Sequence, residues 1–268
     1  MRLVASDLDG TIVHRDGTVS PRTVAALAAC EAAGIDVLFV TGRPPRWMGP
    51  VAAATGHHGQ AICGNGAVLY DLGTERVVST RALTARAVLE ATAALREVLP
   101  DAVFALETTG GYRREPVFLP HHEAARAARV GGVAELLADD PVVVKVLCRV
   151  EGMTADPILA AARAVLAGIA EPVHSDSTGS MIEISALGVS KASTLALIAQ
   201  ERGIDPADVV AFGDMPNDVP MLRWAGLGYA MADGHAEALA AADEVAPPCA
   251  EDGVAQVLEE LLAALPLP

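Results

Sequence analysis

Strand and helix signals alternate at both ends of this chain and lose that rhythm in its middle, which points to a split α/β core carrying an insert. An apolar strand is read over residues 3–6. A helix follows over residues 21–33, with Ser20 to cap it, Pro21 at its first position and Gly34 just past its end. Residues 36–40 form a second apolar strand, and residues 44–54 a helix closed by Gly56. Such alternation predicts a Rossmann-like parallel sheet with helices on both faces. After a strand near Val77 and Val78 the order changes: a helix over 84–99, strands near 103–107, 117–119 and 142–149, a helix over 156–168 and a strand over 181–185. This stretch reads as an α+β insert. The α/β rhythm then returns, with a helix over 190–202, a strand over 209–213, a helix over 218–225, a strand over 227–231 and a last helix over 252–265. The expected division is core over 1–80 and 186–268, and insert over 81–185.

Composition narrows the function classes. The chain has 268 residues, 52% of them hydrophobic and only 3% aromatic, and alanine supplies much of the apolar content. Charges at Glu31, Glu90, Arg96 and Arg163 break the longer apolar runs well short of a membrane span. The start Met1-Arg2-Leu3-Val4 has no signal-peptide layout, so a soluble cytoplasmic protein is expected. A net charge of −15 argues against nucleic acid or an anionic membrane as partner. It also means that an anionic substrate needs positive charge at its own site. Cys30, Cys63, Cys148 and Cys249 are widely spaced, form no CxxC pair and read as small core residues in a reducing compartment.

The first strand runs into Asp7-Leu8-Asp9-Gly10-Thr11. Side chains alternate along an extended chain, so Asp7 and Asp9 leave one side while Leu8 leaves the other. Two carboxylates that close repel unless they share a proton or a cation. Mg²⁺ suits them: it is hard, prefers oxygen and is held by one or two carboxylates plus substrate phosphate. One carboxylate can then act as a nucleophile and the other as general acid and base. The same string also serves as an ordinary solvated turn, so its context decides. A calcium loop is excluded, because Thr11, Ile12 and Thr18 stand where an EF-hand needs an acid or amide, Gly and Glu.

Three further elements supply that context. The second strand ends in Thr41-Gly42-Arg43, a hydroxyl and free N–H groups at a strand's C-terminal end, where open α/β sheets bind ligands. Lys191 opens a helix against the macrodipole; it and Lys145 are the only lysines among 19 basic residues. A compact ammonium there suits a point contact with phosphate and a nucleophilic carboxylate. Gly213-Asp214-Met215-Pro216-Asn217-Asp218 follows another apolar strand and brings two acids and an amide. Asp and Asn are also good helix caps, so capping and metal binding can coexist in that segment.

In this order the four elements resemble the haloacid dehalogenase-like phosphohydrolases. Asn65-Gly66-Ala67 and Ile182-Glu183-Ile184, with Gly188-Val189-Ser190-Lys191 after it, resemble the Cof-like branch, whose large α/β cap of the C2 type is inserted between the second and third motifs. The resemblance implies Asp7 as nucleophile and Asp9 as general acid and base. It implies Mg²⁺ bound by the Asp7 carboxylate, the Asp9 backbone carbonyl and Asp214, with Asp218 holding the metal site from behind. Thr41, Gly42, Lys191 and Asn217 would position the phosphoryl group. Phosphoryl transfer needs mainly such positioning and charge neutralisation.

The expected activity is Mg²⁺-dependent hydrolysis of small phosphorylated metabolites, sugar phosphates first, by a monomer or homodimer. A phosphotransferase or phosphomutase on the same fold is the alternative, and a catalytically silent binding protein a third reading. Substrate choice is expected from two polar insert loops. One, over residues 107–114, offers Glu107, Tyr112, Arg113 and Arg114, with two glycines suiting a mobile loop; the other, over 175–180, offers Ser177 and Thr178.

Overall fold

The computed structural model describes residues 1–118 and 128–265. It divides into two compact units, Met1–Ser79 with Lys191–Pro268, and Thr80–Ser190.

The first unit is an α/β core. Its N-terminal part runs β1 (Leu3–Ser6), α1 (Pro21–Ala32), β2 (Asp36–Val40), α2 (Gly49–Thr55), β3 (Gln60–Cys63), β4 (Val68–Asp71) and β5 (Arg76–Thr80). Ser20 caps α1 by accepting from the Thr23 N–H at 3.0 Å, and Gly56 ends α2 at a left-handed φ of 68°. The helix expected over 44–54 begins instead as a separate 3₁₀ turn, Pro45–Trp47.

The second unit follows with α3 (Ala85–Val98), β6 (Val103–Thr108), β7 (Gly111–Arg114), β8 (Arg129–Val130), α4 (Val133–Leu136), β9 (Val143–Arg149), α5 (Ala155–Val165), β10 (Ala170–Val173) and β11 (Met181–Ala186). The chain then returns to the core with α6 (Lys191–Glu201), β12 (Val209–Gly213), α7 (Val219–Trp224), β13 (Leu227–Met231), α8 (Ala236–Leu239), β14 (Glu244–Ala246) and α9 (Gly253–Ala263).

The core sheet has eight strands in the order β14-β13-β12-β1-β2-β3-β4-β5. Pairs from β14 through β3 are parallel, and β4 turns back antiparallel on β3. β4 thereby adds an antiparallel strand to the expected parallel sheet. Only a short 3₁₀ turn, Gly64–Gly66, joins β3 to β4, and a parallel crossover needs a dozen residues or more. Successive strands step away from β1 on both sides, so the sheet reverses its winding at β1. The loops after β12, β1 and β2 open side by side at that reversal, where doubly wound sheets bind ligands. α6 buries Leu195, Ile198 and Ala199 against Leu3, Ala5, Val209 and Ala211. Each large side chain buried this way contributes about 1.5–3 kcal/mol, which anchors the helix that begins at Lys191.

The inserted unit is α+β. Its six-stranded sheet has the order β10-β11-β9-β6-β7-β8. One face, with Phe104, Leu106, Val146, Cys148, Ile182 and Ile184, packs on Val88, Ala91 and Leu95 of α3 and Ile158, Leu159 and Ala162 of α5. By strand alternation the other face carries Ala105, Glu107, Lys145, Leu147 and Glu183.

Several local expectations change here. Residues 107–114 are not a mobile loop: β6 and β7 form a hairpin pairing Thr108 with Gly111, Glu107 with Tyr112 and Leu106 with Arg113. Its loop, Thr109-Gly110, is tied by the Thr108 hydroxyl, which donates to the Gly111 carbonyl at 2.7 Å. The strand expected over 117–119 is not seen at Val117, which lies in a turn, or at Phe118, and Leu119 lies outside the described residues. Among the described residues, no helix is long and apolar enough to cross a membrane.

Candidate active site

Asp7, Thr41 and Asp214 follow the adjacent strands β1, β2 and β12. The Asp7 N–H donates to the Phe212 carbonyl at 3.0 Å, which ties the start of the first loop to β12. Lys191, fully buried at the start of α6, joins the set: its Nζ donates to Asp7 Oδ1 at 2.6 Å and to Asp218 Oδ1 at 2.6 Å. The second oxygen of Asp218 accepts from the N–H groups of Asp214 at 3.1 Å and Met215 at 3.0 Å. The Asp218 side chain makes no capping bond to α7 and folds back over the 213–215 turn. Asp218 thereby braces Asp214 and Lys191 together. Two glycines make room for this. A Cβ on Gly10, at φ 80°, would come within 2.4 Å of Asp214 Oδ2, and one on Gly213 would meet the Asp218 side chain at 2.4 Å.

Charge in this cluster does not balance. Asp7, Asp214 and Asp218 have oxygens all within 4.8 Å of one another, and one ammonium faces them. Burial, countered by Lys191 and reinforced by Asp218, pushes Asp7 up to about 7. Burial, with repulsion from Asp7 and Asp218, pushes Asp214 up to about 9. Burial pulls the Lys191 ammonium down, but Asp218 and Asp7 outweigh it and hold it above the ordinary lysine range. Carboxylates raised this far by burial and by one another need further positive charge to ionise together, and oxygen ligands alone suit a hard divalent cation. The residues therefore fit a Mg²⁺ site.

Asp9 stands apart from the cluster. Its side chain is 56% exposed and is gripped by Arg43, whose Nε donates to Oδ2 at 2.8 Å and Nη2 to Oδ1 at 2.5 Å. The Thr41 hydroxyl accepts from the Arg43 N–H at 3.0 Å, and Gly42 lies between them in the same turn. Asn217 is buried, and its Nδ2 donates to Asn65 Oδ1 at 3.1 Å. Arg43 and Asn65 carried no assigned role at the sequence level, although both lie inside strings that the resemblance singles out.

The inserted unit disposes its candidates differently. Glu107 is buried on the face opposite the helices and pairs across the strands with Tyr112 on one side and Lys145 on the other. Lys145 Nζ donates to Glu183 Oε1 at 2.5 Å, a buried ion pair that sequence reading missed. Its signal was the scarcity of lysine together with the alternation of β9. Arg113 lies on the helix side, where it donates to the Leu136 carbonyl at 2.6 Å and pairs with Asp139. Arg114 donates to the carbonyls of Glu115, Pro116 and Phe118. Thr178 closes a local turn by donating its N–H and hydroxyl to Asp176 Oδ1 at 2.9 and 2.7 Å, beside the half-buried Ser177.

Comparison with known proteins decides the family, for residues 4–258 match the haloacid dehalogenase-like hydrolases. The chain belongs to that family. A phosphoglycolate phosphatase of Methanoculleus marisnigri is 26% identical over 97% of this chain and 96% of its own. The pyridoxal phosphate phosphatase YbhA of Escherichia coli is 28% identical over 96% of this chain and 97% of its own. Among solved structures, a phosphatase of the haloalkanoate (HAD) superfamily from Bacteroides thetaiotaomicron superposes with a TM-score of 0.81 at 21% identity, covering 99% of this chain and 96% of that one. A HAD subclass IIB sugar phosphatase superposes with a TM-score of 0.79 at 23% identity, covering 97% and 99%. At such identities the structural likeness speaks for the fold, and this HAD chain shares it from end to end.

Proposed function

We propose that this HAD chain is a Mg²⁺-dependent phosphatase of small phosphorylated metabolites, working through an aspartyl-phosphate on Asp7. The observation that carries the reading is the clamp of Lys191 between Asp7 and Asp218 beside Asp214. Lys191 takes one oxygen of Asp7 and leaves Oδ2 to attack phosphorus. As that bond forms, the bond from phosphorus to the ester oxygen breaks, and Asp9, turned out of the Arg43 fork in its protonated form, gives its proton to the departing alcohol. Water then attacks phosphorus, Asp9 takes the water's proton, Asp7 is freed and orthophosphate leaves. Lys191, the Thr41 hydroxyl, the N–H of Gly42 and the Asn217 amide face the phosphoryl oxygens and keep the group in line with Asp7. Asp7, Asp214 and the Asp9 backbone carbonyl would hold Mg²⁺, with Asp218 bracing Asp214. Bound there, the ion supplies positive charge against the phosphoryl oxygens.

Substrate class is supported by the relatives, and the inserted cap domain offers candidate residues for it. Among the matched proteins are ones named for phosphoglycolate, pyridoxal phosphate and a phosphorylated ribityl compound, the last being the Bacillus subtilis phosphatase YcsE at 27% identity. All are small metabolites. Glu107 and Tyr112, on the cap face away from its helices, and the hydroxyls of Ser177 and Thr178 suit a polar, hydroxylated leaving group. Arg113 and Arg114 hold the cap itself together.

The test is a screen of phosphate esters with Mg²⁺, spanning sugar phosphates, phosphoglycolate, pyridoxal phosphate and nucleotides. Turnover of one or more of the small esters, lost in EDTA, is the expected result. Full activity in EDTA after dialysis, or no hydrolysis of any ester, would overturn the proposal.

A further inference from the structure

The 3₁₀ turn Gly64–Gly66 between β3 and β4 has no part in the reaction as described. Asn65 at its centre adopts φ 57° and ψ 32°, a left-handed conformation that few side chains tolerate. It is 2% exposed. Its N–H donates to the Thr41 carbonyl at 3.0 Å, and its Oδ1 accepts from Asn217 Nδ2 at 3.1 Å. Its neighbours extend the grip. The Gly64 N–H donates to the Arg43 carbonyl at 3.0 Å. The Gly66 carbonyl accepts from the Thr194 hydroxyl at 2.8 Å, one turn along α6 from Lys191. One short turn thus joins the loop after β2, the loop after β12 and the first turn of α6.

We propose that Asn65 is a positioning residue for the phosphoryl group: its backbone sets Thr41, and its side-chain oxygen orients the Asn217 amide. The proposal rests on the reading of Thr41 and Asn217 as phosphoryl-binding residues. A carboxamide presents two N–H donors at one end and an acceptor at the other. Turned one way, Asn217 offers a phosphoryl oxygen a donor; turned the other, it offers a repelling acceptor. Asn217 Oδ1 is buried with no hydrogen-bond partner among the described residues, so it does not set the orientation. The bond from Nδ2 to Asn65 does, and it leaves the second N–H in a fixed direction. Glycine alone would meet the backbone demand, as Gly64 and Gly66 do at φ 58° and 104°. What asparagine adds at this position is the carboxamide, whose oxygen holds Asn217.

Two variants test it. N65G removes the carboxamide and keeps the left-handed backbone, while N65A removes the same group and adds strain. Each is compared with wild type for hydrolysis of p-nitrophenyl phosphate and, by calorimetry with Mg²⁺ present, for tungstate affinity. N65G is expected to lose about 10- to 100-fold in kcat/KM, with a parallel loss of tungstate affinity. N65A should match it in both and differ only in a lower Tm. Placed on an N217A background, either variant should cost nothing more, because the amide it orients is gone; whichever folds suffices for this cycle. Wild-type kcat/KM and tungstate affinity in N65G overturn the proposal, and so does a loss fully additive to that of N217A. A wild-type protein that binds tungstate but hydrolyses no ester defeats the phosphatase reading alone, and the tungstate cycle still judges Asn65.

Discussion

Arg43 holds Asp9 with two parallel bonds, Nε to Oδ2 at 2.8 Å and Nη2 to Oδ1 at 2.5 Å. A guanidinium fork fixes the plane of a carboxylate as a single bond cannot. Asp9 is more than half exposed, so the pair contributes only about 0–1 kcal/mol to folding, and its worth is geometric. R43M should therefore leave Tm within a few degrees of wild type. It should change kcat more on alkyl phosphates, which need the proton from Asp9, than on aryl phosphates, whose leaving groups need little protonation. Steady-state kinetics on both ester types check this, with D9N as the limiting case; equal changes on both would remove Asp9 from proton transfer.

Metal-free protein should lose stability as pH rises. Burial and mutual repulsion raise Asp7 to about 7 and Asp214 to about 9 from 3.8. Carboxyls whose folded pKa lies above the unfolded one give stability that is complete below the unfolded value and lost as pH climbs through the folded values. In EDTA, Tm should accordingly fall between pH 5 and pH 9. Mg²⁺ competes with these protons, so the Tm rise it produces should be larger at pH 9 than at pH 6. Thermal melts with and without the ion settle the matter, and an equal or smaller rise at pH 9 would contradict the assigned ligand set.

The cap should depend on its buried ion pair. Lys145 is bonded to Glu183 and lies across the strand pair from Glu107, so K145M leaves Glu183 buried without that ammonium. Breaking such a pair costs roughly 3–5 kcal/mol. Urea unfolding followed by circular dichroism should show that loss, and K145M/E183Q should recover part of it. An unchanged midpoint in K145M would mean that the pair carries no stability.

What the sequence made legible follows physical strength of signal. β2 and β12 were found with their observed bounds because each is a buried apolar run between turn residues, DVLFV and VVAFG. The four motif elements were legible because their residue types are chemically unusual at strand and helix ends, and the structure brings Asp7, Lys191, Asp214 and Asp218 together. β3 was missed because four residues between glycines carry too little periodicity. β10 was missed because Pro172 argues against a strand; it is tolerated there because β10 is a sheet edge. β7 looked like a loop because Gly111, Arg113 and Arg114 have little strand propensity, and only pairing with β6 makes them one. The grips of Arg43 on Asp9 and of Asn65 on Asn217 join residues far apart in sequence, so no local pattern announces them.

Among cap residues, those on the two sheet faces should behave differently. E107Q and Y112F should change the ratio of kcat/KM between sugar phosphates and p-nitrophenyl phosphate. R113A removes the bonds to Asp139 and the Leu136 carbonyl, so it should lower Tm and leave that ratio unmoved. A ratio that shifts in R113A and stays constant in the other two would reverse the assignment.

The central claim is covalent catalysis by Asp7, and D7N tests it most directly because the amide keeps the shape and removes the attacking charge. With Mg²⁺ and p-nitrophenyl phosphate, and with circular dichroism to confirm folding, kcat/KM in D7N should fall by roughly 10⁴-fold or more, as expected when a nucleophile is removed. Acid quenching of wild type during turnover of ³²P-labelled substrate should leave the label on the peptide containing Asp7. Near wild-type turnover in freshly purified, folded D7N would contradict the account.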